Sequence, residues 1–220
     1  MKIKTVVFVA ISDYDNLGVG YMAALLSEAG YKTKIIDFRV RKSEILKIMN
    51  KLDPLIIGFS IIFLNHIKQF IELIEYLRKG GIKCHFTAGG HYASLKYDEL
   101  FKMVPQLDSI IRFEGEYPML ELAKCISNGS DWRKIASLAF KENQKIISNP
   151  IWAMEKDLDI FPFPSRSHIK EYAFQKKFTV ILAGRGCRNN CSFCNTREFY
   201  RQASGPLKRI RKPEMVVSEM

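Results

Sequence analysis

The sequence predicts an α/β fold. A doubly wound, five-stranded parallel sheet over residues 1–130 is followed by a β-hairpin and linker over 131–175 and by the opening of a second unit over 176–220. Three observations carry this. Short runs rich in Val, Ile and Phe alternate with segments of helical periodicity, the pattern of parallel strands covered on both faces by crossover helices. Polar loops follow four of the five runs, three of them carrying glycine, and the periodicity changes character after Gly129.

The expected strands are Thr5–Ile11, Lys34–Phe38, Leu55–Ser60, Lys83–Ala88 and Ser109–Phe113. Between them Met22, Leu25, Leu26 and Ala29 recur at helical spacing and Gly30 supplies the stop. Ser43 is the expected N-cap of a short helix to Asn50. Ile67, Phe70, Ile71, Ile74 and Leu77 mark a third helix, and two more are expected near Leu95–Met103 and Pro118–Ser127. Five strands separated by helices fit a flavodoxin- or Rossmann-like strand order. Ligands of such sheets bind beyond the carboxyl ends of the strands. That rule selects the loops Ser12–Gly20, Ser60–Asn65, Gly89–Ser94 and Glu114–Tyr117. Spacing alone does not separate binding glycines from ordinary turn glycines there.

Ile135–Phe140 and Lys145–Ser148 flank Lys141-Glu142-Asn143-Gln144 and read as a β-hairpin. Pro162 and Pro164, with Trp152, Phe161 and Phe163, make the following stretch an extended linker whose aromatic side chains pack on something. Phe178–Ala183 is the expected first strand of the second unit. Pro213 opens a helix carrying Met215, Val216 and Met220.

Directly after that strand, GRGCRNNCSFCNTREFY places Cys187, Cys191 and Cys194 in a C-x3-C-x2-C array. Three thiolates so close cannot reach one metal from a straight strand, so the segment must be a loop wrapped around something. They could hold three irons of a cubane cluster, leaving one iron open. A structural zinc site wants four closed ligands, and disulfides fit poorly with five cysteines. Spacing leaves a cluster, zinc and inert thiols all open. Cys84 and Cys125 lie inside apolar patterns and read as core thiols.

The array, with Phe193 before its last cysteine, resembles the cluster loop of the radical S-adenosylmethionine (SAM) enzymes. The stretches from ILAGRGCRNNCSFC to IRKPEMVVSEM are similar to the branch of that family with an N-terminal cobalamin-binding domain. NLGVGYMAALLSEAGY, GFSIIF, TAGGHYASL and FEGEYPMLEL resemble the loops and helices of that domain, and LDIFPFPSR resembles its connector. The resemblance implies a [4Fe-4S] cluster on Cys187, Cys191 and Cys194, SAM chelated at the open iron beside Phe193, and reductive cleavage of SAM to a 5′-deoxyadenosyl radical. It implies cobalamin contacts from Asp15, Asn16, Leu17, Gly18, Gly20, Ser60, Gly89, Gly90, His91, Glu114, Gly115 and Glu116. Many such domains carry Asp-x-His-x-x-Gly in the first loop. Here the spacing reads Asp13-Tyr14-Asp15-Asn16-Leu17-Gly18, with a carboxylate, a harder donor than imidazole, where the cobalt ligand would stand. No histidine ligation is therefore expected from this loop. His66 and His91, on the same rim, are expected to pack or hydrogen-bond, and Gly58 to serve packing.

The implied function is the cobalamin- and cluster-binding portion of a radical SAM enzyme. Its reaction would be methyl transfer to, or cyclisation or rearrangement at, an unactivated carbon of a small-molecule substrate, with an electron donor such as flavodoxin or ferredoxin. A complete radical SAM barrel takes on the order of 200 residues. The sequence is accordingly expected to be a fragment, a truncated product or half of a split enzyme whose barrel another chain completes, and its last 43 residues to be poorly stabilised alone. A non-catalytic cobalamin carrier or sensor is the alternative. A net charge of +11, with twelve Lys and Arg against four Asp and Glu from Arg166 on, raises nucleic acid as a partner. No nucleic-acid motif accompanies the charge, so neither that partner nor a membrane is expected. The composition and lack of a signal-like cleavage site suggest a cytoplasmic protein.

Overall fold

The computed structural model describes residues 4–11, 16–166 and 179–220. The parallel sheet is built from β1 (Thr5–Ala10), β2 (Lys32–Asp37), β3 (Ile56–Ser60), β4 (His85–Gly89) and β5 (Ser109–Ile111). Six helices connect or follow these strands: α1 (Leu17–Glu28), α2 (Lys42–Leu52), α3 (Ile67–Lys79), α4 (His91–Leu95), α5 (Tyr97–Met103) and α6 (Glu116–Asn128). The strand order is β2-β1-β3-β4-β5, the flavodoxin-like order expected. The hairpin β6 (Leu138–Glu142) and β7 (Lys145–Ser148) does not stand apart. It pairs antiparallel with β5 and extends the sheet to seven strands. Asn143 and Gln144, both at positive φ, form its turn, so the loop is two residues rather than four.

β1 is buried along its whole length because both its faces are covered. Val7 and Val9 point to the α2, α3 and α5 side, where Phe59, Phe70, Phe86 and Phe101 form the larger core. Val6, Phe8 and Ala10 point to the α1 and α6 side, with Leu26, Ile56, Met119 and Leu122. Successive residues of one strand thus serve two cores, as the two-residue strand period requires.

Three local expectations shift. Helix α2 starts at Lys42 after Arg41, with no side-chain cap, so Ser43 lies inside its first turn. The helix expected over Leu95–Met103 is broken at Lys96 into α4 and α5. The strand expected over Phe178–Ala183 is displaced. Phe178 lies outside the described residues, 179–183 form no strand, and β8 is Gly184–Gly186, paired antiparallel with β9 (Lys208–Ile210). Missing side chains permit the β8–β9 pairing. A Cβ on Gly184 would stand 2.5 Å from the Arg209 carbonyl oxygen, and one on Gly186 would stand 1.8 Å from that of Leu207. Only glycines admit so close an approach. Helices α7 (Thr196–Arg201) and α8 (Pro213–Glu219) complete the described elements.

The linker packs down as its aromatics suggest. Leu158 and Phe161 are buried against Tyr21, and Trp152 stacks on Tyr117 at 5.8 Å. Its end, 167–175, lies outside the described residues. No described helix is long and apolar enough to cross a membrane.

His85 gives the sheet a pH-dependent member. Ser109 Oγ donates to Thr87 Oγ1 at 2.9 Å, so His85 Nε2 donates to Ser109 Oγ at 2.8 Å. Burial holds its pKa down at about 4; Asp108 opposes this, and Arg78 and Arg133 add to it. The ring stays neutral in the fold, whereas in the unfolded chain it takes up a proton near pH 6.5. Its contribution is therefore full above that pH and is lost as pH falls toward about 4. His85→Gln should flatten the fall in urea midpoint between pH 7 and pH 4.5 relative to the parent chain. Equal slopes would show that His85 does not titrate in this way.

Candidate functional site

The strand order reverses between β1 and β3, and a cleft of about 410 Å³ opens beyond their carboxyl ends. Its floor is apolar, from Phe8, Phe59 and Met119. Gly58 lies between two of these: a Cβ there would meet Phe8 at 3.0 Å and Met119 at 3.2 Å, so its lack of a side chain serves packing as expected.

The loops named from the sequence converge on this cleft. Asn16, Leu17, Gly18, Ser60, Gly89, Gly90, His91, Glu114, Gly115 and Glu116 all line it. Asn16 does so as a joint between elements. Its Oδ1 accepts from Val19 N at 3.2 Å to cap α1, and its Nδ2 donates to Ser60 Oγ at 3.3 Å and to the Ile11 carbonyl at 3.4 Å. Gly90 has φ +103°, and a Cβ there would lie 2.8 Å from the Ile61 carbonyl oxygen, so the β4–α4 turn requires glycine. Gly89 meets nothing closer than 3.5 Å, which leaves its backbone open toward the cleft. His91 is held below the usual histidine range by burial, and its ring stacks on Phe199 at 4.2 Å.

Some expected residues stand elsewhere. Gly20 faces the linker: a Cβ would touch Pro164 at 3.0 Å, and its carbonyl accepts from Ser165 N at 2.9 Å. His66 lies edge-on to Phe38 and is not part of the cleft. Asp13, Tyr14 and Asp15 lie outside the described residues, and with them the question of the cobalt ligand.

The far wall of the cleft comes from the cysteine-bearing segment, through Leu182, Gly184, Arg185, Thr196, Phe199 and Tyr200. Sequence reading missed this wall, although Arg185 between two glycines and the REFY aromatics were visible signals. The wall is held by a buried set of charges. Arg209 takes both oxygens of Glu114, at 2.9 and 2.6 Å, and also the Glu155 carbonyl at 2.7 Å. Arg185 reaches Glu114 at 3.3 Å and Glu116 at 2.6 Å. Burial alone would lower the Arg185 pKa, but Glu116 and Glu114 outweigh it and the net direction is up. Glu114 and Glu116, expected as ligand contacts, are thus engaged by arginines. Arg211 makes a second fastening, to Asp159 at 3.2 Å, to Glu219 and to the Tyr21 hydroxyl at 3.4 Å. The segment expected to be poorly stabilised alone is here tied to the first domain.

Cys187 is half-buried, Cys191 and Cys194 are exposed, and all are free thiols. Asn189 N donates to Cys187 Sγ at 3.4 Å, and Cys194 Sγ donates to Thr196 Oγ1 at 3.2 Å. Phe193 is 90% exposed and does not line the cleft. Among the described residues no three His, Cys, Asp or Glu stand close enough together to hold a metal ion. Cys84, by contrast, has its pKa pushed up to about 12 by burial, as a core thiol should.

Residues 3–123 match the family described as B12 binding domain. Among curated proteins, the chain is 28% identical over 186 residues to Uncharacterized methyltransferase PH0819 of Pyrococcus horikoshii, covering 82% of this chain and 40% of that one. It is 25% identical to cytidylyl-2-hydroxyethylphosphonate methyltransferase of Streptomyces wedmorensis, covering 93% and 47%. Its fold is that of the radical S-adenosylmethionine methyltransferase TsrM from Kitasatospora setae, with TM-score 0.76, 18% identity and coverage of 99% and 45%. It is also that of the cobalamin-dependent S-adenosylmethionine radical enzyme OxsB, with TM-score 0.79, 20% identity and coverage of 99% and 31%. The chain spans less than half the length of each of these four proteins.

Removing one partner of a buried ion pair leaves an uncompensated charge, at a cost of about 3 kcal/mol or more. Glu114→Gln should therefore loosen residues 184–211, seen as faster amide exchange there and a lower urea midpoint, while β1–β4 keep their protection. Adding Arg209→Met should recover part of the loss. Unchanged exchange in Glu114→Gln would show that the pair does not hold the wall.

Proposed function

This chain belongs to the B12 binding domain family, and from that premise we propose that it is the cobalamin- and [4Fe-4S]-binding portion of a radical SAM enzyme. The observation that carries the proposal is the shared cleft. Its floor is a glycine-walled slot at the sheet switch point, and its far wall is the segment that bears the three thiols. The parent reaction would be methyl transfer to an unactivated carbon, or a cyclisation or rearrangement there. The methyltransferase names of two relatives favour the first. A small-molecule substrate and an electron donor such as flavodoxin or ferredoxin would be the partners.

The chemistry of the residues present suits both cofactors, although the three thiols are not gathered around one point in this structure. For cobalamin, a narrow apolar slot with Gly89 open to it suits an aromatic tail passing between strands, with Ser60 and Thr87 offering hydroxyls at its edge. For the cluster, three free thiols within eight residues, two of them exposed, form a soft donor set. When bound, a cluster would supply the electron that cleaves SAM, and methylcobalamin would supply the methyl group. The chain's own residues bind and orient. Asn16 fixes the first loop against Ser60, Gly90 holds His91 at the rim, and Arg185 with Arg209 sets the thiol segment over the cleft. The apolar floor excludes water from whatever fills the slot.

Anaerobic titration with hydroxocobalamin and methylcobalamin should show saturable absorbance changes at one equivalent. Gly89→Val should weaken binding about tenfold or more, since 1.4 kcal/mol of lost contact suffices for that. Reconstitution with iron and sulfide should load about four irons. Cys191→Ala should abolish iron loading and leave cobalamin binding intact. Cobalamin bound with no iron loading would favour a carrier or sensor. No cobalamin binding by the folded chain would overturn the assignment.

A further inference from the structure

Helix α7 has six residues and one buried side chain, Phe199. So short a helix cannot hold itself in place, and its position rests on where that ring is seated. The seat comes from across the cleft. Phe199 stacks on His91 with centroids 4.2 Å apart and planes 24° apart, and lies tilted on Phe113 at 5.1 Å. Both seat residues stand on constrained backbone. His91 follows Gly90, whose turn leaves no room for a Cβ beside the Ile61 carbonyl. Phe113 sits at φ +67°, with its N–H donating to the wholly buried Ser94 Oγ at 2.8 Å. The domain side is therefore the fixed half of the contact and Phe199 the half that follows.

The same helix reaches the thiols. It begins at Thr196, whose Oγ1 lies 3.2 Å from Cys194 Sγ and would donate its proton to that sulfur as a thiolate. Thr196, Phe199, His91 and Phe113 all line the cleft. Whatever fills the cleft touches the side chains that locate the end of the thiol loop.

We infer that His91 and Phe199 are positioning residues. Their stack fixes α7 and, through Thr196, the Cys194 end of the thiol loop relative to cobalamin in the cleft, so that filling the cleft orders the loop. The inference rests on the function proposed above. It gives His91 a stacking role, with one ring face occupied by Phe199, and requires nothing of its nitrogens.

The test uses the full chain, anaerobically, with hydroxocobalamin as the probe. It reads amide exchange over residues 187–200, the electron paramagnetic resonance spectrum of the reduced cluster, and the corrin absorbance. In the parent chain, cobalamin should slow exchange over 187–200 and alter the resonance spectrum. Phe199→Ala and His91→Ala should bind cobalamin yet lose both responses. Phe199→Leu, which keeps most of the buried volume without a ring face, should lose them too, and exchange over β1–β4 reports whether each variant is folded. His91→Phe should restore both responses with an unchanged corrin spectrum. If His91→Phe instead behaves like His91→Ala and shifts the corrin spectrum, the imidazole nitrogens contact the cofactor and the stacking role is wrong. A parent chain that binds both cofactors while 187–200 stays indifferent overturns the coupling alone. A parent chain that binds no cobalamin overturns the proposed function as well.

Discussion

Two glutamates at the end of β5 and two arginines in the thiol-bearing segment form the contact on which the rest of the site depends. Glu114 lies at the carboxyl edge of the sheet and Glu116 opens α6, so both are fixed by the first domain. Arg185 and Arg209 lie on the two strands of the β8–β9 pair, opposite each other in register. One bidentate pair and a shared carboxylate therefore dock both strands of the β8–β9 pair. Buried ion pairs give little net stability over apolar packing, because desolvation offsets their attraction. Their effect here is on geometry: the pairs tie both strands, through Arg185 and Arg209, to the edge of the first sheet. Arg209 Nε, buried without a partner among the described residues, shows that even this placement leaves a cost.

Backbone approach is the second constraint. Gly90 lets the β4–α4 turn press against the Ile61 carbonyl, which sets where the rim begins. Gly184 and Gly186 let β8 lie against β9, which sets where the far wall begins. A methyl group at any of the three would move one side of the cleft relative to the other. The cleft thus owes its width to missing side chains and its closure to paired charges.

The first domain was legible in the sequence almost in full. β1 declares itself through an unbroken apolar run because both of its faces are covered. Alternation of strands and helices fits a flavodoxin- or Rossmann-like order without choosing between them, and the carboxyl-end rule brings Asn16, Ser60, Gly89 and Gly90 to one place. The misplacements were local. The break at Lys96 and the start of α2 at Lys42, with no side-chain cap from Arg41, leave no periodic trace in the sequence. Gly20 read as a binding glycine because its partner, Pro164, is remote in sequence.

The residues alone determined the sheet, its edge of ligand-facing loops and the presence of three thiols suited to a soft metal, since each is written in short-range spacing. Tertiary structure decided what those features do to one another. It paired Glu114 and Glu116, which line the cleft, with arginines of the far wall, and it made Phe199 a wall of the cleft through a stack on His91. It also added the hairpin to the sheet edge. The physical reason is common to all three. Charge pairing, ring stacking and edge pairing join residues separated by tens of positions, and no local pattern records which distant partner a side chain or strand edge will meet.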